Sequence, residues 1–255
     1  MRSIGPAVFN LRNRRSVVKS PVVCYFRTVT TFQRARSAEQ RSERRRLILD
    51  TAEAMLDTMP VAAITLNELS RRVGLAKSNV LRYFESREAV LLELLDEQAR
   101  EFLADIAAAL PIEVDGEARP QVRAREVAVA ITGAFRAHPM LCELLAAQSS
   151  VLEHNVSVEV ASRFKRASLD RVGELATLLD RSLPELGSDR AAEGAWLTII
   201  AAGELWTYSR PADAVIAAIE ADPALAPARI PFAATLERSI TVLLFGLLSE
   251  TVELP

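Results

Sequence analysis

Lys77, Ser78, Asn79 and Arg82 place two cations, a hydroxyl and an amide within one short stretch. Side chains of these types hydrogen-bond the edges of bases. A lysine ammonium can meet the O6 and N7 acceptors of guanine, and an asparagine amide can pair with N6 and N7 of adenine. Val80 and Phe84 interrupt the polar run at helical spacing, so the polar groups share an outward face and the apolar ones turn inward. Lys77, Ser78 and Asn79 are therefore read as candidates for base edges. Arg44, Arg45, Arg46, Thr65, Arg82, Tyr83 and Arg87 are read as candidates for phosphate contacts, which set affinity and register without carrying sequence information.

Other chemistries find weaker support. His138 and Cys142 lie four apart, a spacing that two metal ligands on a helix could use. His138 precedes Pro139, however, and belongs more naturally at a cap or loop beside a helix start. Glu153–His154 holds the other histidine, and nothing fixes its distance from the first. The chain has no glycine-rich phosphate loop, no G-x-S-x-G elbow and no cysteine paired with a plausible histidine base. No catalytic residue, metal or cofactor is expected, and the protein is not read as an enzyme.

The elements that must position Lys77–Arg82 can be read on either side of it. Leu66, Leu69 and Val73 form one apolar stripe of a short helix. Thr65 is its expected N-cap, and Glu68 would complete a capping box. Gly74 permits the left-handed backbone that ends this helix. Leu75, Val80 and Phe84 then turn inward along the next. This is the layout of a helix-turn-helix, whose second helix enters the major groove. A preceding helix is expected from Ala38 to about Met59, ended by Pro60. A long following helix, Arg87–Leu110, is capped by Ser86, with Val90, Leu91, Leu94, Leu95, Phe102 and Ile106 inward. Residues 111–120 read as a loop. Helices are then expected over about 121–137, 139–150, 157–183, 188–209, 212–221 and 232–249, separated by proline, glycine and histidine punctuation. Strand patterning and internal repeats are absent.

The expected fold is all-α. A three-helix DNA-binding domain occupies 38–86, and a helical ligand-binding and dimerisation domain occupies 87–255. Residues 1–37 form a basic extension, read as a disordered arm, a targeting peptide, or translated sequence ahead of the true start; the last, or a dispensable tail, is favoured. Met1–Ala38 contains no acidic residue. Charge follows the same division: residues 1–100 hold 18 Lys and Arg against 11 Asp and Glu, and residues 101–255 hold 13 against 22, so +7 and −9 make the net −2. A basic head on an acidic body suits polyanion binding by one part only. Two cysteines, Cys24 and Cys142, favour a reducing cytoplasm over a disulfide scaffold. No apolar run approaches a membrane span in length.

The stretch from Arg44 to Leu95 resembles the TetR/AcrR family of transcriptional regulators. Gly74, Lys77, Arg82, Phe84, Ser86 and Glu88 fall where that family has its glycine turn, recognition helix and aromatic stop. Ala76 departs from the family's frequent serine cap, and Leu81 from its usual phosphate-contacting tyrosine. The resemblance implies a homodimer on a palindromic double-stranded operator, released by a small, mostly apolar effector held in the helical body. Within that body Phe102, Phe135, His138, Phe164, Trp196, Ile200 and Trp206 are candidates for the effector site; Glu153, His154 and Glu204 could orient a ligand, although caps and surface positions are the simpler reading. The dimer contact is expected on the small-sided helix with Ala191, Ala192, Ala195, Ala201, Ala202 and Gly203, and on the final helix with Ile240, Leu243, Leu244, Leu247 and Leu248. The alternatives are an architectural DNA-binding protein without an effector and, further off, a small-molecule enzyme.

Overall fold

A computed structural model describes residues 22–110 and 118–249, with side chains from residue 39 onward. Among the described residues every regular element is helical and no strand occurs. It divides into two compact units, Met1–Arg44 and Arg45–Pro255. Helix α1 spans Val22–Leu56, beginning ahead of the expected start at Ala38. The part of the basic extension before residue 22 lies outside the described residues.

In the second unit, the end of α1 leads through a 3-10 turn, Val61–Ala63, into α2 (Leu66–Val73) and α3 (Lys77–Val80). Helix α4 (Arg87–Ala109) is the long connector. The body adds α5 (Pro120–Ala137), α6 (Pro139–Ala147), a π-helical turn (Gln148–Leu152), α7 (Val158–Ser182) and α8 (Gly187–Tyr208). It closes with α9 (Asp213–Ala221), a 3-10 segment (Pro223–Ala228) and α10 (Phe232–Ser249). Helices α4, α6, α7 and α8 pack together, and α10 lies against α5 and α8.

One apolar cluster runs through head and body. Ile48, Ala52 and Met55 from α1 meet Ile64, Leu69, Val80 and Phe84 of the head and Leu91, Leu94 and Leu95 of α4. Farther along α4, Phe102 and Ile106 bury against Phe135 and Leu141. Helix ends follow local rules. Ser86 and Ser157 accept the N–H of Ala89 and Val160 at 3.1 and 3.2 Å, each satisfying an orphan donor of a first turn.

The small side chains of α8 serve a different surface from the expected one. Ala191, Ala195, Ala202 and Gly203 are buried inside the subunit. A Cβ on Gly203 would come within 3.4 Å of the Leu145 backbone, so the missing side chain lets α8 lie closely on α6. The inward stripe of α10, Ile240, Leu244 and Leu247, is likewise spent on intramolecular packing. What α8 presents outward is Trp196, Leu197, Ile200 and Tyr208, joined by Val242 of α10. No run of membrane-span length was expected, yet by length and composition α10 could cross a membrane; here it packs on α5 and α8.

Candidate nucleic-acid interface and effector cavity

The turn that sets the head's geometry is built on Gly74, at φ +73° and ψ +27°. The following Leu75 N–H reaches back to the Ser70 carbonyl at 3.0 Å, a Schellman-type closure that satisfies a carbonyl at the end of α2. At the start of α2, Thr65 Oγ1 accepts the Glu68 N–H at 3.2 Å. Only that half of the expected capping box forms. The Glu68 carboxylate is taken instead by Arg71 (2.6 and 2.8 Å) and Arg72 (2.8 Å), and their hydrogen bonds hold its pKa down at about 2.

Helix α3 has no side-chain cap, since Ala76 offers none. It is a single turn, continued by i→i−3 and i→i−4 bonds from Arg82, Tyr83 and Phe84. Val80 and Phe84 are buried, while Lys77, Ser78, Asn79 and Arg82 are exposed. Leu81 is exposed on the same segment, whereas Tyr83 is half-buried against the core.

Pairing divides the basic candidates into two groups. Arg45 is committed internally: Nε donates to Glu93 at 2.9 Å, Nη1 donates to the Tyr83 carbonyl at 2.7 Å, and the guanidinium lies 4.0 Å from the centre of the Phe84 ring. Arg46 bridges Asp50 at 2.7 Å and Glu97 at 2.9 Å, and Glu97 chiefly raises its pKa. Arg87 donates to the Ile64 carbonyl and, at 2.8 Å, to Glu88. Arg44 is exposed. Lys77 and Arg82 enter no ion pair among the described residues and stand beside Ser78 and Asn79 with their charge available.

The head is tied to the body at a residue that sequence patterns did not single out. Glu85, in the turn after α3, accepts the N–H of Ser157 at 2.5 Å, and Ser157 is the N-cap of α7. The two positions are 72 apart in the chain, so no local pattern could pair them.

In the body, α4, α6, α7 and α8 line a mostly apolar cavity of about 70 Å³. Of the predicted effector residues, Phe102, Phe164 and Trp196 line it. Phe135 stacks behind Phe102 with ring centroids 4.3 Å apart. His138 presents its ring edge to Phe102 and pairs through Nε2 with Asp105 at 2.8 Å. Ile200 is not in this wall; its neighbour Ile199 is, and Ile200 faces outward, 54% exposed.

Trp206 sits elsewhere, in an open cleft of about 790 Å³ where the end of α1 and the 3-10 turn face α6 and α8. Its Nε1 donates to Glu143 at 3.0 Å, Arg210 stacks 3.9 Å from the centre of the ring, and Phe232 meets it edge-on. Among the polar candidates, His154 and Glu204 are exposed. Glu153 accepts from Gln148 at 2.8 Å and Lys165 at 2.6 Å. Burial opposes its ionisation, but these two partners keep its pKa lowered. Burial pushes the Cys142 thiol up to about 12, which suits a packed side chain rather than a nucleophile. No group of three potential metal-ligating side chains occurs among the described residues.

Two family profiles match consecutive parts of the chain. One, described as bacterial regulatory proteins of the tetR family, covers residues 48–94. The other, a tetracyclin repressor-like C-terminal domain, covers residues 96–251. Over 54 residues the chain is 43% identical to the HTH-type transcriptional regulator EthR of Mycobacterium tuberculosis and 39% identical to EthR of Mycolicibacterium smegmatis. Each match covers 21% of this chain and about a quarter of the relative's length. A TetR transcriptional regulator from Rhodococcus sp. RHA1 shares the fold at a TM-score of 0.52 and 15% identity, over 83% of this chain and 98% of that one.

Proposed function

The chain belongs to the TetR family of bacterial transcriptional regulators, and from that premise we propose that it is a homodimeric repressor released from a palindromic operator by a small effector. The observation that carries the DNA side is the sorting of charge in the head. Arg45, Arg46, Arg71, Arg72 and Arg87 are occupied by carboxylates, whereas Lys77 and Arg82 enter no ion pair among the described residues and stand beside Ser78 and Asn79. Asn79, Lys77 and Ser78 read base edges. Arg82, with Arg44 and Thr65, contacts phosphates. Arg45 and Arg87 position the segment through their internal bonds, and Tyr83 supports it from the half-buried side.

A symmetric operator requires two heads about 34–36 Å apart. The outward faces of α8 and α10, with Trp196, Leu197, Ile200 and Val242 exposed, supply an apolar surface for pairing two copies into a four-helix contact. The effector cavity bears on the head through α4. Arg45–Glu93 and Arg46–Glu97 join that helix to α1, and Glu85 joins the recognition turn to α7. At about 70 Å³ the cavity is roughly half the 150 Å³ that accepts benzene in an engineered core. An effector must therefore bind a wider state in which α4 and α7 stand farther apart. Binding selects that state and changes the spacing of the heads.

Selection of bound sequences from a random duplex library at near-physiological salt tests the reading. A two-fold symmetric motif is expected. Asn79→Ala should flatten base preference at specific positions, and Arg82→Ala should weaken binding to all sequences alike. Enrichment without a motif would support the architectural alternative.

A further inference from the structure

Most of the cavity wall is apolar; its polar members are Gln148, Ser168 and, where α4 and α7 face each other, Asp96 and Arg171. Asp96 Oδ1 and Arg171 Nε lie 3.5 Å apart, yet neither makes a hydrogen bond, and both atoms are out of contact with solvent. Their other atoms are engaged: Asp96 Oδ2 accepts from Arg100, and Arg171 Nη1 pairs with Glu174 at 2.8 Å. The result is an ion pair whose facing acceptor and donor make no hydrogen bond, set at one side of a mostly apolar chamber. Leaving such groups unsatisfied is costly, and the cost is larger for charged groups.

A water molecule can answer both atoms. A primary amide answers them as well, its N–H donating to Asp96 Oδ1 and its carbonyl accepting from Arg171 Nε, while its hydrocarbon fills the apolar part. Displacing water is favourable when the incoming group reproduces the hydrogen bonds. Asp96 and Phe164 also line the groove of about 320 Å³ between α4 and α7. Groove and cavity thus share two wall residues.

Resting on the reading of this cavity as the effector site, we propose that the effector is a small amphiphile of the carboxamide class, anchored by the Asp96–Arg171 pair with its apolar chain against Phe102 and Trp196. Inserting the head group opens the contact between α4 and α7, the two helices that carry effector state to the head.

The test uses three probes of similar size on the full chain: hexanamide, with donor and acceptor; 2-heptanone, with acceptor only; and 1-chlorohexane, with neither. Calorimetric titration should rank them in that order, with about tenfold in Kd separating the amide from the ketone, the scale of one hydrogen bond to a charged group. Asp96→Ala should bring the amide-to-ketone ratio to about 1. Arg171→Met should erase the advantage of the ketone over the chloroalkane. Either variant is informative alone if the other fails to fold, with helicity by circular dichroism as the check. Ala99→Phe, which fills the chamber, should block all three probes. Equal binding of the probes to the native chain, or ratios unchanged in both polar variants, overturns the head-group assignment while Ala99→Phe still blocks. Absence of binding by every probe, or binding indifferent to Ala99→Phe, overturns the cavity as the effector site and this inference with it.

Discussion

The reading head and the helical body share one apolar cluster, and the head adds to it a set of directional contacts. In the head, single residues act through directional contacts: Gly74 turns the chain, Thr65 caps α2, and Arg45 fastens α1 to α4 while bracing the segment after α3. In the body, α4 to α8 and α10 are joined by a broad apolar surface in which no single bond dominates. The first arrangement depends on residue identity and the second on shape and volume.

The contrast can be broken by substitution, starting with the largest expected effect. Phe102 is 1% exposed and stacks on Phe135. Phe102→Ala should cost about 3–5 kcal/mol, read as a lower midpoint in urea. A loss below about 1 kcal/mol would mean the body tolerates cavities and is not close-packed. The next effect compares two arginines of equal charge. Arg45→Met removes partly buried bonds to Glu93 and the Tyr83 carbonyl and should cost about 1–2 kcal/mol of stability. Arg82→Ala, at an exposed position, should stay within about 0.5 kcal/mol while weakening DNA binding. Equal melting of the two variants would remove the distinction between positioning and contacting arginines.

Local rules made much of this legible in the sequence. Pro60, Gly74, Pro139 and Pro184 act on their own backbone or the residue beside it, so helix boundaries could be placed from punctuation. The same holds for the recognition segment, where Val80 and Phe84 are inward and Lys77, Ser78, Asn79 and Arg82 outward. What escaped was anything set by partners distant in the chain. The Arg45–Glu93 and Asp96–Arg171 pairs span 48 and 75 positions, and no periodicity announces them. The small stripe of α8 was visible as a stripe, but whether α6 or a second subunit covered it depends on tertiary packing. Ile199 and Ile200 show how fine the distinction is: one residue turns a helix by about 100°, enough to move a side chain from the cavity wall to the outer face.

The smallest effect concerns two acids of the head whose pKa values move in opposite directions. Glu53 on α1 is raised, first by burial and then by Glu101, while Gln98 donates to it at 3.2 Å. A carboxyl whose folded pKa exceeds its unfolded value holds its proton longer in the native chain. Stability therefore falls as pH rises through that window, and ionised Glu53 is a liability at neutral pH. Glu53→Gln keeps an acceptor for Gln98 and should melt slightly higher than the native chain at pH 7, with the difference vanishing below the ordinary carboxylate range. Glu68 behaves oppositely. Lowered to about 2 by Arg71 and Arg72, it contributes stability above the ordinary value of 4.5, lost as pH falls toward 2. Glu68→Gln should thus melt lower than the native chain at pH 7, with the gap closing on acidification. Thermal melts of both variants at pH 7 and pH 3 would show the two differences with opposite signs at the higher pH. Differences of the same sign would mean that the bonds of Glu68 to two arginines in the head are screened by solvent to no net effect. The head's directional contacts would then rest on Arg45, Arg87, the Thr65 cap and the glycine turn.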